Sequence, residues 1–215
     1  MPRHALAALA CLACASIMSP AAAAAVGKPE VLPGFAEDIC GRYIAAAERQ
    51  LGIPGQLLAA ISIVESGRWD RGIKARIAWP WTVTANGEGK YLPSKAAAIA
   101  EVRRLQKAGT RSIDIGCMQV NLHYHGDAFA SLEEAFEPLD NVAYAATFLR
   151  ELKAERGGWT GAMAWYHSRN RVHNLPYSLK VQKAWAEQRR LVAAARREAY
   201  QARRLQAVNA RRRTP

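Results

Sequence analysis

Apolar side chains recur at three- and four-residue spacing through most segments between Ile39 and Ser168, and this periodicity constrains the fold more than any other feature of the chain. Residues 37–51 place Ile39, Cys40, Tyr43, Ile44, Ala47 and Leu51 on one helical face, and Gly52 ends the run. Pro54 suits the first turn of a second helix, whose apolar positions are Leu57, Leu58, Ile61 and Val64 and whose natural stop is Gly67. Glu65 then falls in the last turn of a largely buried helix. Ser94 caps a third helix running to about Ala108. Ser131 and Glu134 form a capping-box pattern. A helix from Leu139 to Glu155 carries Val142, Ala146, Leu149 and Leu152 and stops at Gly157-Gly158, and a short helix spans Thr160 to Ser168.

The pattern changes once. Trp81, Val83 and Tyr91 flank Asn86-Gly87, a dipeptide suited to the tight turn of a β-hairpin. The expected fold is mostly α, an α+β arrangement in which a helical domain over residues 26–178 carries one small hairpin. Residues 179–215 read differently. Arginine pairs at 189/190, 196/197 and 203/204 recur every seven residues, with another at 211/212, so a helix here bears a nearly continuous basic stripe. We expect this segment to protrude or dock loosely, without forming a second domain. From Lys180 onward eleven Lys and Arg stand against two Glu, whereas residues 26–179 carry eighteen against sixteen. The net charge of +12 therefore belongs mostly to the tail.

The first 25 residues read as a secretory signal: Arg3 and His4, an apolar run from Ala5 to Ile17, then small residues at Ala23 and Ala25 before Val26. The run is short for a membrane span. Cys11 and Cys14 raise a lipoprotein alternative, but Ala8-Leu9-Ala10 is a poor lipid-attachment signal. The implied location is the periplasm. Cleavage leaves Cys40 and Cys117, which in an oxidising compartment can pair or remain buried thiols.

Three short segments carry groups with chemical potential. In Ile63-Val64-Glu65-Ser66-Gly67, a carboxyl near apolar side chains and the negative end of a helix is pushed toward its protonated form, the state of a general acid. Taken alone, such a glutamate is usually a solvated surface group. Asp114-Ile115-Gly116-Cys117-Met118-Gln119-Val120-Asn121 offers a glycine for close backbone approach, and Gln119 and Asn121 supply amides for hydroxyl and acetamido partners. Its plainer reading is a loop entering a short helix. In Ala164-Trp165-Tyr166-His167-Ser168, the Tyr166 hydroxyl can reach Glu65 or a ligand, and Trp165 is either core or a stacking surface. His123-Tyr124-His125 places two imidazoles two residues apart, but nothing nearby completes a metal set.

Together and in this order, the three segments resemble the catalytic domain of the soluble lytic transglycosylase family, which is related in fold to goose-type lysozyme. That family has a helix ending in Glu-Ser, then a Gly-Leu-Met-Gln-type motif, then an Ala-Tyr-Asn-type motif. Here Glu65-Ser66, Gly116-Cys117-Met118-Gln119 and Trp165-Tyr166-His167 match them. The likeness extends from about Ile39 to Ser168 and is greatest to compact members with a leading cysteine, a Trp-Pro-Trp-Thr-Val segment and a Gly-Cys-Met-Gln-Val-Asn motif. The resemblance implies a Cys40–Cys117 bridge, which accounts for cysteine replacing leucine in the second motif. His167 stands where the third motif has asparagine.

The resemblance implies Glu65 as the catalytic acid/base, with Ser66, Met118, Gln119, Asn121, Tyr166 and His167 as substrate-binding positions. It also implies a single-carboxylate mechanism that uses no metal or cofactor. Glu65 protonates the oxygen leaving the MurNAc anomeric carbon, and the acetamido group of that sugar stabilises the developing charge. Ionised Glu65 then deprotonates the 6-hydroxyl, which attacks to give a 1,6-anhydro end. The nucleophile is intramolecular, so no water needs positioning. Asp70, Asp114 and Asp127 lie near the motifs, but none falls at a catalytic position of the family.

The rival readings are a lysozyme-like hydrolase and a non-catalytic glycan-binding protein of a secretion assembly. The expected partner of the monomer is the peptidoglycan glycan strand. A secretion or motility apparatus is a further partner by analogy. The basic tail adds contact with the anionic wall or a membrane face, and the export signal argues against nucleic acid.

Overall fold

The computed structural model describes residues 38–213, with the side chains of residues 38–209; the signal-peptide expectation lies outside the described residues. The chain is mostly α with a small antiparallel sheet and a long C-terminal helix. Helix α1 (Ile39–Leu51) is capped by Asp38, whose carboxylate accepts from Gly41 N at 2.8 Å, and ends at Gly52 in the left-handed region. Helix α2 (Leu57–Ser66) starts later than Pro54 suggests. Pro54 sits in the preceding turn, its carbonyl bonded to Leu57 N at 3.0 Å, and Gln56 adopts φ 68°, which no continuing right-handed helix can use.

The first-turn amides of α2 are satisfied from α1 instead. Glu48 is buried, and its carboxylate accepts from Gln56 N, Leu58 N and Ala59 N at 2.8, 2.9 and 3.2 Å. Burial raises the Glu48 pKa, and those three amides oppose the rise. The cap lets the next turns of α2 bury Leu57, Leu58, Ala60 and Ile61 completely. Full burial of Leu57, Leu58 and Ile61 contributes ~2 kcal/mol per side chain.

Gly67 does stop α2, but for a reason other than a left-handed turn. Its backbone is extended, and a Cβ there would lie 2.2 Å from the Ile63 carbonyl oxygen. The chain passes directly into β1 (Gly67–Asp70), which pairs antiparallel with β2 (Ala75–Ala78), a hairpin not legible in the sequence. The hairpin at Asn86-Gly87 is present as β3 (Thr82–Ala85) and β4 (Glu88–Tyr91), with φ 54° and 80° at the two turn residues.

Helix α3 (Lys95–Lys107) follows, capped by Ser94 Oγ on Ala97 N at 3.2 Å. Strands β5 (Ile113–Ile115) and β6 (Val120–Asn121) complete a sheet of order β4-β3-β5-β6. The 116–119 motif is therefore a tight strand-to-strand turn, not a loop entering a helix. In the short α4 (Leu132–Ala135), Ser131 Oγ accepts from Glu134 N at 3.1 Å. The Glu134 carboxylate reaches back to Ala130 N at 2.7 Å, one residue earlier than a strict capping box.

Helices α5 (Pro138–Arg156) and α6 (Trp159–His167) match the periodicity closely, with Gly157 left-handed at φ 70° between them. Helix α7 runs from Arg171 to Arg213, crossing residues 178 and 179 without interruption. Helix α2 is enclosed by α1 and α7, while α5 packs on both α1 and α6. This helical core gathers Leu57, Leu58, Ile61, Ala146, Leu149, Met163 and Val181. A second core lies between the sheet and α3–α4 around Val83, Val102, Ile113, Ile115 and Phe136.

Candidate active site

Glu65 occupies the last turn of α2, where the helical core meets the sheet, and is partly exposed. The backbone just beyond it is fixed from three directions. The Ser66 carbonyl accepts from Trp79 N at 3.1 Å, and the Gly67 carbonyl accepts from Arg76 Nη2 at 2.8 Å and from the Tyr91 hydroxyl at 2.9 Å. Both hairpins therefore brace the end of α2. Burial raises the Glu65 pKa to about 7; a hydrogen bond from Tyr177 opposes this rise and the charge of Asp114 adds to it. At neutral pH about half of such groups hold a proton.

The Tyr177 hydroxyl donates to Glu65 Oε1 at 2.6 Å. This partner was missed in the sequence because Tyr177 lies 112 residues away, in a segment whose composition spoke only of charge. The Tyr177 ring is buried and stacks on His167, with centroids 4.6 Å apart and planes 10° from parallel. His167 is exposed, and through this stack it covers the ring of the tyrosine that bonds to Glu65. Burial lowers the His167 pKa, helped by the charges of His173 and Lys180, which favours the neutral imidazole.

The remaining motif residues hold the site together from inside. Ser66 is fully buried; its hydroxyl bonds to the Cys117 carbonyl at 2.6 Å and approaches the Ser62 carbonyl at 3.2 Å. Met118 is also fully buried, and its carbonyl accepts from the Tyr166 hydroxyl at 2.9 Å. Ser66 and Met118 are therefore not surfaces for a ligand, and Tyr166 spends its proton on Met118 instead of on Glu65. The Asn121 amide donates to Asp114 Oδ1 and Ser112 Oγ, while its oxygen accepts from His123 N and Tyr124 N. Asn121 thus orders the strand end and Asp114. Gln119 donates through Nε2 to the Thr82 and Gly116 carbonyls at 3.2 and 3.1 Å, leaving its buried Oε1 without a partner.

The turn itself depends on two residues. Gly116 has φ 82°, and a Cβ there would fall 2.4 Å from the Asn141 amide nitrogen. Asn141 is fully buried; its oxygen accepts from Met118 N at 2.9 Å, and its nitrogen donates to the Ile115 and Ala135 carbonyls. The Cys40–Cys117 disulfide, with Cα atoms 5.8 Å apart, fastens the same turn to the start of α1.

Asp114 on β5 is the second acid whose charge reaches Glu65. Burial raises its own pKa, while its bond from Asn121 and the charge of His125 oppose the rise. His125 Nδ1 lies 2.8 Å from the Tyr144 hydroxyl, and its ring stands edge-on to Phe148 at 4.8 Å. Phe148 in turn meets Tyr166 at 5.9 Å, so an aromatic wall runs from α5 to α6 beside the motif turn. His123 is exposed and turned toward Tyr124, apart from His125's partners.

Trp165 is partly exposed and carries two guanidinium groups on its ring, with Arg156 and Arg169 at 3.9 and 4.7 Å from the centroid. Its ring is engaged in cation–π contacts with these two arginines. Asp70 accepts locally from Gly72 N and Ile73 N, which makes it a turn residue of the first hairpin. No family model matches this chain, and neither the curated proteins nor the solved structures match it.

Proposed function

We propose that this protein is a periplasmic lytic transglycosylase that cleaves the MurNAc–GlcNAc β-1,4 bond of peptidoglycan, with Glu65 as general acid and then general base. The observation that carries this reading is a single braced carboxyl, partly exposed, whose pKa is raised to about 7. A group poised there can deliver a proton to a glycosidic oxygen and recover one from the 6-hydroxyl in the same pH range. Tyr177 stabilises the ionised form between the two steps. The three motifs quoted above converge through Ser66, Cys117, Met118 and Tyr166, which supports reading them as one unit. Clearing of a purified peptidoglycan suspension tests the activity. A protein that clears nothing between pH 5 and pH 8 would overturn the proposal.

The alkaline limb of kcat/KM should fall as Glu65 loses its proton above pH 7. Two substitutions move that limb in opposite directions. Tyr177→Phe removes a bond that favours the carboxylate, so the Glu65 pKa rises and the limb shifts to higher pH. Asp114→Asn removes a like charge, so the Glu65 pKa falls and the limb shifts to lower pH. A pH–rate profile of each variant checks both signs.

One observation favours a second reading. The charge of Asp114 acts on Glu65, and a glycosidase of retaining type uses a second carboxylate to stabilise or trap the glycosyl cation. In a hydrolase of that kind Asp114→Asn removes nearly all cleavage. In the transglycosylase the variant cleaves with only a displaced pH profile.

A further inference from the structure

Helix α7 has two parts with different tasks. Its root is docked: Tyr177 and Val181 are buried, and Trp185 Nε1 donates to the Gly55 carbonyl at 2.9 Å. Beyond Ala194 every described side chain is exposed. At 1.5 Å per residue, the stretch from Trp185 to Arg213 extends about 40 Å from that last anchor.

The projecting part has one chemical character. The pairs Arg189-Arg190, Arg196-Arg197 and Arg203-Arg204 repeat at seven residues, and each repeat drifts only about 20° around an α-helix. They therefore form one long face, in which Tyr200 lies, 69% exposed. After Lys183 every basic residue is arginine, whose planar fork binds carboxylates in pairs of hydrogen bonds where lysine offers a point charge. Among the described side chains past Trp185, only Glu187 and Glu198 offset this charge, and no ion pair involves either one.

The opposite face consists mainly of Ala195, Ala199 and Ala202, with Leu191 and Leu205 as its large apolar groups and Glu198 between them. That is a poor wedge for a bilayer, which needs a continuous band of bulky apolar side chains. A second copy of the arm would bring like charges together. A row of carboxylates remains as the fitting partner. The helix that presents the arginines also supplies Tyr177 to Glu65, so a polymer lying at Glu65 passes beside the root of the arm.

We infer that the arginine face of α7 beyond Trp185 binds the carboxylate-bearing peptide stems of the polymer whose glycan is cut at Glu65. This rests on the proposed function for the identity of the polymer. The arm holds the enzyme on the wall between cuts and leaves the chemistry to the folded domain.

Co-sedimentation with insoluble peptidoglycan tests the inference, using the full chain with Glu65→Gln so that the wall stays intact. We expect binding that weakens with salt. It should fall at least about tenfold when Arg189, Arg190, Arg196, Arg197, Arg203 and Arg204 are all replaced by glutamine. Converting the carboxyls of the intact wall to neutral amides with a carbodiimide and ammonia should produce the same loss, and vesicles containing phosphatidylglycerol should bind the chain more weakly than the wall does. Unchanged binding by the glutamine variant, equal binding to the amidated wall, or preference for the vesicles would each overturn the inference.

Cleavage of short soluble glycan oligomers, measured on chains with Glu65 intact, separates this inference from the function itself. The glutamine variant should cut them as the parent does. A parent that cuts no glycan, yet sediments through its arginines and the stems, keeps the arm and loses the Glu65 reading. A parent that cuts normally but sediments without the arginines loses the arm alone.

Discussion

Glu65→Gln is expected to leave a folded protein whose glycan cleavage falls by at least about 10³-fold, in line with the loss of a positioned general acid. The amide keeps the acceptor that Tyr177 needs, so the hydrogen bond at the end of α2 survives. The same substitution should also stabilise the fold at alkaline pH. In the native protein Glu65 titrates at about 7, above the ordinary range of an unfolded-chain glutamate. As pH rises between those two values the unfolded state releases its proton first, so wild-type stability falls across that window and levels off above pH 7. Glutamine removes this loss. Allowing for the partial solvent exposure of Glu65, the variant should be more stable at pH 8 by about 2 kcal/mol, with little difference at pH 4. Urea denaturation at the two pH values measures the difference. Equal stability at pH 8 would mean that the carboxyl is solvated and ordinary.

Replacing both Cys40 and Cys117 by alanine carries the largest expected cost to stability. The bridge closes a loop of 77 residues, and losing that constraint should cost about 4 kcal/mol. This is a large share of the 5–15 kcal/mol typical of a folded domain. The midpoint of thermal unfolding should drop by roughly 10 °C. Both cysteines are fully buried, so reductant should act only on the unfolded chain. The loss should also reach the site. Cys117 accepts the Ser66 hydroxyl, and Met118 beside it accepts the Tyr166 hydroxyl. Activity of the alanine pair at 20 °C should therefore be reduced beyond what its unfolded fraction explains. A variant within 0.5 kcal/mol of wild type, by the order-of-magnitude scale of surface substitutions, would contradict the first expectation, and activity lost only in proportion to the unfolded fraction would contradict the second.

Helices were legible wherever the burial of one face repeats at helical period. The spans of α1, α3, α5 and α6 and the Asn86-Gly87 hairpin lie within about two residues of their sequence readings. What the sequence concealed were contacts between distant segments. Glu48 reads as one more polar residue of α1, and only the arrival of the next helix turns it into a cap. Asn141 lies inside a helical pattern without marking it, yet it supports the turn made by Gly116. Strands β1, β5 and β6 are four, three and two residues long, too short for alternation to register.

The residues of the candidate site are legible in the sequence, while their contacts within the fold are not. Glu65 and the three motifs come together, but Ser66 and Met118 face inward, Tyr166 serves a carbonyl, and Asn121 orders Asp114. Tyr177 was hidden by the charge of its own segment. Arginine repeats drew attention to the exposed end of α7, while the residues that dock its root carry no periodic signature.

Mass spectrometry of the muropeptides released from purified peptidoglycan tests the central claim most directly. The account predicts glycan ends lighter than the reducing forms by one water, formed by wild type and absent with Glu65→Gln. Reducing ends in their place would contradict it and make the protein a hydrolase, whose second carboxylate Asp114→Asn would then test.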